Sequence, residues 1–130
     1  MAITSQYVAT VKNGTLAQAT VANAGRDGTG TRATILTAHA ANGSRVDAIV
    51  FTAPGTVTAG MLRLFLTIGA NTRLIDEIPV AATTPSASVP AWRVNYIPSV
   101  PLVLEAAAVL SFATANAETF NAIPVFAGDF

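Results

Sequence analysis

Six prolines, at positions 79, 85, 90, 98, 101 and 124, stand so close together in the second half of this 130-residue chain that no long helix can run through it. Each removes a backbone donor and crowds the preceding turn of any helix that contains it. The remaining punctuation is that of strands. Asn13-Gly14 and Asn42-Gly43 each lie between apolar-alternating stretches, where Asn-Gly predicts a tight hairpin turn. Asp27-Gly28, inside the Gly25 to Gly30 run, and Pro54-Gly55 add two more turns, and Gly69-Ala70-Asn71 separates two further apolar runs.

Between these breaks the period is two. Over Ser44 to Thr52, Val46, Ala48 and Val50 point one way and Arg45, Asp47, Ile49 and Phe51 the other. Over Met61 to Ile68, the residues Leu62, Leu64, Leu66 and Ile68 share one face and are the predicted core. Trp92, Val94 and Tyr96 alternate with Arg93, Asn95 and Ile97. Further strands are expected over Tyr7 to Val11, Leu16 to Val21, Ala33 to His39, Arg73 to Val80, Val109 to Ala115 and Ile123 to Phe126. Eight or nine short strands with turn signals between them predict an all-β fold: a single antiparallel β-sandwich, jelly-roll-like, with residues 1–130 as one domain. Leu102 to Ala117 leaves two readings open. Leu104 to Leu110 is made of good helix formers. A helix there would be apolar on nearly every side, however, so the preferred reading is a strand to Glu105, a turn through the alanines and a strand from Ala108.

Composition removes several classes of function. Seven basic and seven acidic residues give no net charge, so neither nucleic acid nor an anionic membrane meets a basic field. The chain has no cysteine and one histidine, which excludes thiol chemistry, zinc–thiolate sites and multi-histidine metal sites. No run approaches the ~20 apolar residues that span a bilayer, and Met1 to Thr10 has no basic region followed by a long apolar stretch, so no secretory signal is expected. Yet only 11% of residues are charged while 52% are hydrophobic. A water-exposed surface this poor in charge favours self-association.

The chemistry-bearing residues do not assemble into a motif. Adjacent Asp76 and Glu77 point to opposite faces of a strand and cannot form a paired acid–base site. His39 has no adjacent nucleophile and reads as a loop or interface residue. The glycines of Gly25-Arg26-Asp27-Gly28-Thr29-Gly30 are not spaced as in the dinucleotide fingerprint, and no helix follows them. No enzyme activity, cofactor or metal is expected. Trp92 and Tyr96 fall on one strand face about 13 Å apart, two aromatics from which a sugar-stacking platform can be built. A carbohydrate-binding sandwich module is therefore the alternative to a structural protein. The other reading of Trp92 and Tyr96 is packing, in the core or at a subunit interface. Both ends are apolar, and Met1-Ala2-Ile3 together with Phe126 and Phe130 are predicted to be interface elements, the alternative being that Ile123 to Phe130 is an ordinary last strand paired within its own sheet.

Three stretches carry a family resemblance: Ala41-Asn42-Gly43-Ser44-Arg45-Val46-Asp47-Ala48-Ile49-Val50, then Gly60-Met61-Leu62-Arg63-Leu64-Phe65-Leu66, then Pro101-Leu102-Val103-Leu104-Glu105. Their order resembles small β-sandwich virion proteins of tailed bacteriophages and gene transfer agents, of the head-decoration or head-spike-base type. The likeness spans about residues 40 to 115, with Ala106-Ala107-Ala108 standing where many members have a Gly-Asp turn. It implies a non-catalytic homo-oligomer, a trimer or pentamer, that partners itself and other virion proteins such as the major capsid protein. The implied location is the virion, assembled in the host cytoplasm.

Overall fold

The computed structural model describes residues 8–130, which form ten strands: β1 (Thr10–Val11), β2 (Ala17–Ala19), β3 (Ala33–Thr37), β4 (Ser44–Ala53), β5 (Gly60–Ile68), β6 (Asn71–Val80), β7 (Trp92–Tyr96), β8 (Leu102–Leu104), β9 (Val109–Thr114) and β10 (Phe120–Asp129). There is no helix among the described residues. β1 and β2 both pair with β10, in one continuous register, and β7 and β8 both pair with the far side of β4. Each pair is one interrupted strand line. One sheet then reads β1/β2–β10–β4–β7/β8 and the other β3–β9–β5–β6. Numbering the eight lines along the chain, first pairs with last, second with seventh, third with sixth and fourth with fifth. This is one long hairpin rolled up: an antiparallel β-sandwich with jelly-roll connectivity.

Rolling up the hairpin changes what the Asn-Gly pairs do. Asn13-Gly14 interrupts one strand line instead of turning a hairpin, and Asn42-Gly43 carries the chain from one sheet to the other. Gly43 holds φ at +73°, and a Cβ on it would strike the Leu104 carbonyl, so the crossover requires glycine. Pro124 explains the interruption of the first line. It lies in β10 opposite the gap between β1 and β2, where its missing N–H leaves no ladder bond unmade, and Asn13 Nδ2 donates to its carbonyl at 3.1 Å. The only tight hairpin joining neighbours in one described sheet is β5–β6, turned at Gly69-Ala70.

Leu62 and Leu64 are fully buried between the sheets, and Leu66 packs against the same core. Ile68, predicted as a core residue, is 45% exposed. β9 covers β5 only as far as Thr67, so Ile68 extends past the body of the sandwich at the hairpin end. The centre is aromatic: Phe51 packs edge-on to Phe112 at 5.5 Å, and Trp92 edge-on to Phe120 at 5.6 Å. The alanine-rich segment is a turn, with Ala108 N–H donating to the Glu105 carbonyl at 3.1 Å between β8 and β9.

The C-terminal strand belongs to its own sheet. Phe130, predicted to be an interface element, is half-buried; its N–H donates to the Gly43 carbonyl and its carbonyl accepts from Asn42 Nδ2. Ala127 to Asp129 pair with β4, and β1 flanks Gly128 and Asp129 on the other side. Asp129 is buried, accepting from Ser44 Oγ at 2.5 Å and from Lys12 Nζ at 2.9 Å. Burial alone would raise its pKa, but those donors outweigh it and hold the carboxyl below the usual aspartate value. Met1-Ala2-Ile3 and Tyr7 lie outside the described residues.

Candidate interaction surface

The two outer faces of the sandwich differ. On the β3–β9–β5–β6 sheet, the connection from Ala22 to Arg32 lies across the outer face. Asn23 N–H donates to the Thr114 carbonyl, Arg26 pairs with Glu77, and the Arg32 guanidinium sits over the Phe65 ring at 5.9 Å. Phe65, Arg63 and Ser111 are thereby buried although they point away from the core. The Arg26 hydrogen bond, with help from Arg63, keeps the Glu77 carboxyl below its ordinary value. The glycine run from Gly25 to Gly30 serves this cover: Gly28 lies against Thr72.

On the β1/β2–β10–β4–β7/β8 sheet, the outer face is apolar and not crossed by any connection among the described residues, and its centre is made by a reversal of the strand pleat. In β4, Val46 points into the core, but further along Ile49, Phe51 and Ala53 do so, with Asp47 and Ala48 both excluded from it. Strict alternation over Ser44 to Thr52 therefore fails at that step. β10 makes the matching change: Phe120 and Ala122 face the core, and then Ala127 does. Because both strands shift together, the pairing register is the same before and after, Val125 with Ala48 and Ala127 with Val46. The residue that absorbs the change in β10 is Phe126, at φ +50°. A bulky side chain in the left-handed region is strained by about 1–3 kcal/mol. The effect is to turn an aromatic ring that alternation would have placed inside to the outside, where it is 79% exposed.

Around Phe126 the face remains apolar. Ile97 follows inward-facing Tyr96, Val103 pairs with outward Arg45, and Val11 pairs with outward Gly128; all three are about two-thirds exposed or more. Summed with Phe126 they expose on the order of 500 Å² of apolar side chain, taking ~150–250 Å² for a large residue, divided by the outward Arg45 and Asp47. A groove of about 370 Å³ runs beside the ring, floored by Ala48, Val50, Val125 and Ile97 and closed at one end by Arg93 and Asn95. Beyond the ring lie Arg45 and Asp47, paired at 2.7 Å, and Val8. In the sequence, Phe126 stands out by its apolar neighbours near the end of the chain. The strained backbone that turns it outward has no signature in residue type.

The other predicted interface aromatics face the other way. Trp92 is 9% exposed within the core, and Tyr96 packs against Phe51 at 6.3 Å, so the proposed stacking platform is not on the surface. The Tyr96 hydroxyl donates to Asp76 Oδ2 at 2.7 Å; partial burial first, and then that carboxylate, push its pKa well above the ordinary phenol value. His39 caps a turn, its Nδ1 accepting from the N–H groups of Ala41 and Asn42. Among the described residues no three His, Asp or Glu side chains come together as a metal site would need. Comparison with protein-family models, with curated proteins and with solved structures finds no match for this chain.

Proposed function

We propose that this chain is a non-catalytic structural component of a virus-like particle, a head-decoration or head-spike-base protein that assembles with copies of itself and docks on other virion proteins such as the major capsid protein. The virion assignment rests on the resemblance of residues 40 to 115 set out above. The observation that carries the assembly role is the open face around Phe126. A soluble domain that keeps a strained backbone in order to hold an aromatic ring in water, amid other exposed apolar side chains, has a surface suited to being covered. The surface combines elements of a protein interface: an exposed aromatic anchor, an aliphatic groove beside it, and charged or polar groups at its ends, Arg45 and Asp47 at one and Arg93 and Asn95 at the other. Sedimented particles from cells that carry the gene, probed with an antibody to this chain, test the reading. The chain should travel with the particles and label their surface. Recovery solely in the soluble fraction would contradict it.

A further inference from the structure

Resting on that assembly reading, we infer that the Phe126 face is a two-fold contact between copies of this chain. The ring and the groove it would fill lie side by side on one surface, as an isologous contact requires: the knob of one copy enters the hole of the other, and the reverse. The groove's 370 Å³ has room for an incoming phenyl ring. The charges agree with a dyad near Val50. Asp47 lies at the Phe126 end, and Arg93, paired with Thr52, lies at the other, five residues or about 16 Å along β4. Rotation by a half-turn about Val50 sets Asp47 of each copy, already paired with its own Arg45, beside Arg93 of the other and brings each Phe126 ring toward a guanidinium. Arg93 is exposed and bonds Asn95 Oδ1 within its own strand, with no ion pair among the described residues. Within the two charged ends the contact holds Phe126, Ile97, Ala48, Val50 and Val125, an apolar strip with Asp47 at one end and Arg93 at the other.

The two-fold geometry makes a dimer the unit, in place of the trimer or pentamer expected from the sequence. It also makes a symmetric prediction for charge reversal. Arg93→Asp alone and Asp47→Arg alone each place like charges at both ends of the contact, and each variant should dimerise at least about tenfold more weakly than the parent. Mixed one to one, the two variants restore opposite charges at both ends and should form a heterodimer. Sedimentation equilibrium of parent, single variants and mixture reads this directly, with circular dichroism melting to confirm that both variants are folded. Should either fail to fold, Asn95→Glu beside Arg93, mixed with Asp47→Asn, replaces the pair. A trimer or pentamer, or a parent dimer that both reversals leave intact, overturns the two-fold contact without touching the assembly reading, which the particle experiment decides. A parent that is monomeric at 200 µM also overturns it, and dimerisation solely on removal of residues 1–7 would place that segment on the face instead.

Discussion

The Tyr96 hydroxyl donates to Asp76 Oδ2 across the open side of the sandwich, tying the β7 edge of one sheet to the β6 edge of the other. Sandwich edges are where two sheets can part, and this bond bridges them. Tyr96→Phe should lower stability by about 1 kcal/mol at neutral pH, measured by denaturant unfolding. The pH dependence has a definite sign. The raised phenol pKa means the contribution is complete below the ordinary tyrosine value near 10 and is lost as pH rises through the folded value. Wild-type melting temperature should therefore fall in strong alkali more steeply than that of the Phe variant.

At the opposite end of the pH scale the group to watch is Asp129. Its folded pKa lies below the unfolded one, so its stabilisation is present above about pH 4 and disappears as pH falls through the folded value. Asp129→Asn should melt lower than wild type at pH 7, with the difference shrinking by pH 2. Melting curves across that range check it, and an equal gap at both ends would contradict the Ser44 and Lys12 contacts as its source.

The reach of β9 decides which leucine-face positions count. Leu64→Ala should lose on the order of 2–5 kcal/mol, while Ile68→Ala, beyond the last β9 pairing, should change stability by about 0.5 kcal/mol or less. Chemical denaturation of the two variants side by side is the measurement. Similar losses at both sites would place Ile68 in the core after all.

Much of this fold was legible because its signals are local. Prolines, Gly69-Ala70 and period-two runs mark the strands, and the apolar face from Leu62 to Leu66 marks the core. Two things were not legible, for one reason: each depends on a partner strand. Whether Asn13-Gly14 turns a hairpin or interrupts a line is decided by β10, which passes beside both flanking strands. The pleat reversal at Asp47-Ala48 is possible only because Phe126 reverses with it, and none of these three positions is the glycine or asparagine that usually announces φ above zero. Pro124 did carry a hint, since a proline within a paired strand requires a gap on one side.

Phe126 is strained where it stands, and its ring, 79% exposed, adds little burial to its own fold. Phe126→Asn, with a residue that tolerates the left-handed region, should leave the melting temperature unchanged or raise it. Phe126→Ala keeps the strain and should gain nothing. Thermal melts of dilute protein compare them, and a marked loss of stability in the Asn variant would show that the exposed ring supports its own domain.

The mass of the Phe126→Asn variant in solution tests the central claim most directly. Light scattering at 100 µM should give wild type at twice the 13.3 kDa chain mass and the variant at the chain mass itself. Equal masses for the two proteins would contradict the claim that this ring is turned outward for assembly.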